Sequence, residues 1–145
     1  MRDLQLSGGD LVVAARGFAT VTGAPYLQQR IALALGEPYG GDPYNPSWGS
    51  TLPSMLGSPS DPGTPALVSS EISRVMQVLV AAQQTLMAGN AMSGTRSQLS
   101  ADDVIASVDS VSAQVSADPQ AIRAAVSLTT MAGTQTTVTR TLSLA

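Results

Sequence analysis

The 145-residue sequence has no cysteine, no histidine and no lysine, and all seven of its cations are arginines. The first absence rules out a disulfide, a thiolate nucleophile and a soft-metal site. Without histidine, no side chain exchanges protons near neutral pH at its ordinary pKa, and Ser–His–Asp catalysis is impossible. Without lysine there is no amine for a Schiff base. The bias suits a GC-rich coding genome, and the chemical exclusions hold whatever its origin. Aromatic residues are also few: Trp48, Phe18, Tyr26, Tyr39 and Tyr44. The interior must be built from Ala, Val, Leu, Ile and Met, which suits a protein that neighbours help to stabilise.

The arginines are scattered and the net charge is −3. The clustered basic patch that releases counterions from nucleic acid is missing, so no nucleic-acid partner is expected. No apolar run reaches the roughly 20 residues of a membrane span, so no membrane association is expected either. Met1-Arg2-Asp3 leads straight into an alternating segment rather than the apolar core of a secretory signal, which predicts synthesis in a cytoplasm.

The length fits one domain, residues 1–145. Its patterning predicts an α+β fold with short N-terminal strands, two helices and a C-terminal antiparallel sheet of about three strands. Leu4 and Leu6 alternate with polar neighbours, Ser7-Gly8-Gly9-Asp10 is turn chemistry, and Leu11–Ala15 and Phe18–Val21 are further short strands. Pro25 suits a first helical turn, Leu27, Ile31 and Leu35 fall on one face, and Gly36 stops the run. Residues 36–63 form a long Gly/Pro-rich connection. A second helix follows, with Thr64-Pro65 as N-cap and first-turn proline. Leu67 or Val68, Glu71, Ile72, Val75, Met76, Leu79, Gln83 and Leu86 mark it. The face Ile72, Val75/Met76, Leu79 and Leu86 is ordinarily core, and Gly89-Asn90 closes the helix.

The region 104–145 reads as β. The alternation from Val104 to Ser116 changes phase near Val108-Asp109, which predicts a bulge. Pairing across Ala117–Gln120 sets Val115 opposite Ile122, Ala113 opposite Ala124 and Val111 opposite Val126, matching apolar faces. For the last hairpin, a three-residue loop Ala132-Gly133-Thr134 pairs Leu128 with Val138, Ala124 with Leu142 and Ile122 with Leu144, with Gly133 or its neighbour at positive φ. Arg140 then faces Val126, either snorkelling at the rim or seeking a carboxylate on another subunit.

Several residues are candidates for interaction with other chains. Tyr44 and Trp48 should anchor the long connection, to the body of the chain or to a partner. Val68, Val78 and Met87 lie on a flanking face of the long helix and suit either core packing or a helix–helix contact. Val138, Arg140 and Leu142 belong to a long, Thr-rich final strand, 135–144. An open edge there is most simply a receptor for another chain's strand.

Catalytic chemistry is thin. Two carboxylates some 5–10 Å apart are enough for glycoside hydrolysis, and Glu37, Asp42 and Glu71 are the candidates. None stands in a motif that would raise its pKa, so ordinary surface charges are the plainer reading. Ser7-Gly8-Gly9-Asp10 lacks the Gly-Lys-Ser/Thr end of a phosphate loop, and Asp102-Asp103 alone offers too few oxygens for Ca²⁺. The expectation is a protein with no enzymatic activity, no cofactor and no metal.

Gly17-Phe18-Ala19-Thr20-Val21-Thr22-Gly23, then Leu27-Gln28-Gln29-Arg30-Ile31, Gly36-Glu37 and Trp48-Gly49-Ser50-Thr51-Leu52, occur in an order that resembles the lysozyme-like baseplate wedge family of contractile phage tails and related injection systems. The motifs cover roughly residues 1–85, and the β end matches only in style. The resemblance implies a virion protein of the tail baseplate, in six copies, docked on wedge proteins. It also implies that the terminal β region exchanges strands with the tail sheath protein and so initiates the sheath. The Glu-Pro-Arg triplet common near the end of the family's second helix is missing around Gln83-Gln84-Thr85, which leaves that docking contact in doubt. The alternatives are a tail-tip or hub subunit of a non-contractile tail, and a carboxylate-based peptidoglycan hydrolase.

Overall fold

In a computed structural model, residues 3–7, 10–55, 61–94, 99–116 and 121–143 are described. The N-terminal strands form a knob of three antiparallel two-residue pairs: β1 (Asp3–Leu4) with β6 (Thr20–Val21), β2 (Leu6–Ser7) with β3 (Asp10–Leu11), and β4 (Val13–Ala14) with β5 (Gly17–Phe18). Adding seven to Leu6↔Leu11 gives Val13↔Phe18, so the pairs are related by a seven-residue pseudo-threefold. Three backbone bonds close the triangle: Gln5 N–H to Ala19 O, Val12 N–H to Gln5 O and Ala19 N–H to Val12 O, at 2.8, 3.0 and 2.8 Å. None of the knob's described residues is buried, and Leu4, Leu11, Val13 and Phe18 are exposed.

Helix α1 (Ala24–Gly36) begins with Pro25 in its first turn and buries Tyr26 and Ala34 as well as the predicted Leu27, Ile31 and Leu35. Residues 37–55 of the long connection are better ordered than their composition suggests. They hold a parallel bridge, Pro38↔Ser50, and the short helix α2 (Leu52–Met55).

Helix α3 spans Thr64–Met92. Thr64 is its first residue rather than its N-cap, a place taken by Gly63, and Gly89-Asn90 does not end it; Ser93 is the C-cap. The buried stripe is Val68, Ile72, Val75, Met76, Leu79 and Gln83. Leu86, predicted to continue it, is exposed because the helix has run past the sheet edge that covers Gln83.

After a 3-10 turn (Ala101–Asp103) with a Ser100/Asp103 capping box, the chain enters the sheet: β7 (Ile105–Val115), β8 (Ala121–Thr130) and β9 (Gln135–Ser143), antiparallel in the order β7-β8-β9. The predicted β7–β8 pairs Val115↔Ile122, Ala113↔Ala124 and Val111↔Val126 are all present, and a register shift falls between Val108 and Ser110. The 117–120 connection lies outside the described residues. Ile122, Ala124, Val126 and Leu128 of β8 pack with α1 and α3 in one apolar core. The fold is α+β, as the patterning predicted.

Candidate interaction surface

The β8–β9 hairpin corrects one prediction. Its loop has three residues, but they are Met131-Ala132-Gly133, one position earlier than expected. Gly133 N–H donates to Thr130 O at 2.9 Å, and Thr130 N–H donates to Thr134 O at 3.0 Å. The last place of such a loop needs a left-handed backbone, and Gly133 takes it at φ 84°. The earlier register would have put a β-branched Thr134 there. The register therefore slides by two residues: Leu128 faces Thr136, Val126 faces Val138, Ala124 faces Arg140 and Ile122 faces Leu142. A slide of two keeps every side chain on its predicted face, so the core survives the error. Leu144 lies outside the described residues.

Val138 and Leu142 thus point into the core and are buried. Arg140 shares their face, where α1 packs against β9, and its guanidinium Nη1 donates to Ala32 O near the helix end. A cation there also meets the negative end of the helix dipole. Among the described residues it has no ion-pair partner. Gly36 leaves room beside Arg140, since a Cβ at that position would lie 3.0 Å from Nη2 and push the guanidinium slightly aside. Within the chain the side chain caps its own helix, and the reading in which it meets a carboxylate on another subunit concerns a contact outside this chain.

β9 has one neighbour, β8, and no backbone group among the described residues bonds its outer edge. Counting from the Thr130–Thr134 bond, the antiparallel alternation turns the N–H and C=O of Thr137, Thr139 and Thr141 outward. Beside this edge runs an open groove of about 810 Å³. Its walls come from the knob (Leu6, Val21), from α1 (Pro25, Ala32, Leu33) and from Arg140. Two neighbouring glutamines of α1 set its shape. Gln28 Nε2 donates to Thr136 Oγ1 at 2.7 Å. Gln29 accepts from Leu6 N–H and donates to Leu4 O, both at 2.8 Å, clamping the knob to the helix. Neither glutamine lies on the Leu27, Ile31 and Leu35 face, and helical periodicity does not mark these roles. The repeat of Asp-Leu at 3–4 and 10–11, seven apart, was the available signal for the knob.

The other predicted interaction residues separate. Trp48 anchors within the chain: its indole N–H donates to Glu37 Oε2 at 2.6 Å, and the Arg30 guanidinium sits 5.4 Å from its ring centroid. Tyr44 is 98 % exposed at the tip of the same loop, which Asp42 holds through the Tyr44 N–H at 2.9 Å. Val68 is fully buried in the core. Val78 and Met87 are half-buried on α3 and are not brought together with β9.

The carboxylates are already engaged. Glu71 accepts from Arg74 Nη2 and Nε at 2.7 and 2.8 Å and from Thr51 N–H at 2.7 Å. The Arg74 hydrogen bonds hold its carboxyl below the usual range despite burial. Arg74 also donates to Gly49 O at 2.8 Å and lies 4.8 Å from the Tyr39 ring centroid, tying α3 to the loop. Asp103 binds Gly23 and Ser100 rather than opening to solvent, and Asp102 accepts from Thr134 Oγ1 at 2.8 Å. Among the described residues no group of three or more acidic side chains converges as a metal ion requires, and no helix is long and apolar enough to cross a membrane.

No protein-family profile and no curated protein sequence matches the chain. Its fold is similar to that of a crystal structure described as a "putative tail lysozyme" from Geobacter sulfurreducens, at TM-score 0.56 and 13 % identity, covering 82 % of this chain and 88 % of that one. At that identity the likeness is one of fold.

Proposed function

We propose that the chain is a structural subunit of a phage-type tail, a baseplate wedge protein without enzymatic activity, whose β9 edge accepts a strand from the tail sheath protein as the sheath begins to assemble. The observation that carries the reading is the outer edge of β9, which no described residue pairs, with a groove beside it. Natural proteins seldom leave a nine-residue edge strand bare, because its N–H and C=O groups template pairing with another chain. The tail-associated description of the structurally similar protein fits this setting, and so does the motif order around Gly17–Gly23 and Trp48–Leu52. Tyr44, Val78 and Met87 are the side chains best placed to meet wedge neighbours. A hydrolase is the weaker reading, since Glu71 is paired with Arg74 and held ionised, the reverse of what a general acid needs.

The test is a substitution that blocks the edge and spares the fold. The Thr139 N–H faces away from β8, so Thr139→Pro removes an edge donor without breaking a β8–β9 bond. The purified variant should keep the parent's circular dichroism and fail to nucleate sheath in a tail-assembly assay. Normal nucleation by a folded variant would refute the proposal. Deleting β9 would be uninformative, because Val138 and Leu142 belong to the core.

A further inference from the structure

The groove beside β9 contains one charged group whose hydrogen-bonding capacity is largely unused. A guanidinium carries five N–H donors, and among the described residues Arg140 engages one acceptor, Ala32 O. Glu37 also lines the groove but gives its Oε2 to Trp48 and makes no ion pair with Arg140. The remaining walls are mixed: Leu6, Val21, Pro25, Ala32 and Leu33 are apolar, and Gln5, Gln28 and Gln29 are polar but uncharged. A strand added to β9 would continue the sheet over α1, and alternate side chains would enter this groove on the face that carries Val138, Arg140 and Leu142.

Resting on the strand-addition reading, we propose that the groove selects an acidic residue in the strand it receives. A carboxylate opposite or diagonal to Arg140 accepts the unused guanidinium N–H groups, while apolar residues two positions either side fill the walls against α1 and the knob. Charge complementarity assigns the occupant. Among the described residues Arg140 is the groove's one cation and has a single acceptor engaged, so an anion completes it and a second cation is disfavoured. A planar guanidinium matches a carboxylate in two-pronged geometry. The carboxylate therefore sets the register of the added strand as well as its identity, since a slip of one residue would turn it to the solvent face.

The experiment uses the full chain and two capped ten-residue peptides of alternating Thr and Val. One carries Glu at a central Val position, the other Gln, and binding is read by fluorescence anisotropy. The Glu peptide should bind the parent protein about tenfold more tightly than the Gln peptide, an advantage that shrinks as salt is raised. In Arg140→Gln the advantage should vanish, with both peptides binding as the Gln peptide binds the parent. Should Arg140→Gln misfold, Arg140→Met gives the same reading, because it keeps an unbranched apolar stem beside α1 and removes every guanidinium donor. Equal affinity of the two peptides for the parent overturns carboxylate selection and leaves strand addition standing. No binding of either peptide, or Gln-peptide binding that Thr139→Pro does not weaken, overturns strand addition and this proposal with it.

Discussion

Asp103 shows how one side chain can join three parts of the molecule. It is fully buried, and its carboxylate accepts Gly23 N–H at the start of α1, together with the N–H and hydroxyl of Ser100, all at 2.8 Å. Burial pushes the carboxyl up, but hydrogen bonds, those from Ser100 and Gly23 among them, outweigh it and bring the pKa down to about 2. A depressed folded pKa contributes stability that is complete above the ordinary value of 3.8 and is lost as pH falls through about 2. Urea midpoints should therefore drop between about pH 4 and pH 2 in the parent, and Asp103→Asn should flatten that part of the profile. At neutral pH the same variant should lose ~1–3 kcal/mol, because it strands buried donors. An unchanged acid profile would show that Asp103 is not the group responsible. Gln83 works by the same logic from α3, donating to Asp103 O at 2.9 Å and accepting Ile105 N–H at 3.0 Å. The Ser-x-x-Asp spacing of Ser100–Asp103 marks a one-turn cap in the sequence, and the capping box is present. The bond to Gly23 and both roles of Gln83 were not legible, because those backbone groups are brought in by tertiary contact.

At the scale of elements, two glycines at positive φ separate conformational from steric need. Gly133 has φ 84° with nothing within 4 Å of a would-be Cβ. Gly49 has φ 89°, and its Cβ would lie 2.6 Å from Pro38 O, inside the bridge that ties Pro38 to Ser50. Gly133→Ala should cost about 1 kcal/mol by backbone conformation alone. Gly49→Ala carries that cost plus a backbone collision, so its thermal midpoint should fall clearly further. Similar losses would mean that the loop yields to the added methyl group. The contrast also explains what the sequence could tell. Periodicity exposed α1, α3 and the β7–β8 register, because apolar faces must meet apolar faces. The β8–β9 register depended on a single backbone requirement at Gly133, and two loop placements one position apart, whose registers differ by two residues, keep the same face pattern. The order within residues 37–51 was hidden for another reason: it rests on long-range bonds such as Ser50 Oγ to Leu35 O, at 2.7 Å, and Arg74 to Gly49 O.

The molecule as a whole is unevenly stabilised. α1, α3 and the sheet share a single apolar core, whereas the knob buries no described residue fully and is held by its ring of three backbone bonds, the Gln29 clamp and half-buried Val21 against the core. Small β units without a buried face are marginal in water. Local opening of the knob should therefore need less free energy than global unfolding. Hydrogen exchange would rank the amides of Gln5, Val12 and Ala19 well below that of Val126 in the central strand. Gln29→Ala should lower protection in the knob further and leave β8 unchanged, because Gln29 makes no bond to the sheet. The knob forms one wall of the groove, through Leu6 and Val21, so loosening it should also weaken capture of a strand at β9 without altering the edge itself. A uniform fall in protection across the chain would show instead that knob and core unfold as one unit. The groove would then be as rigid as the sheet it borders.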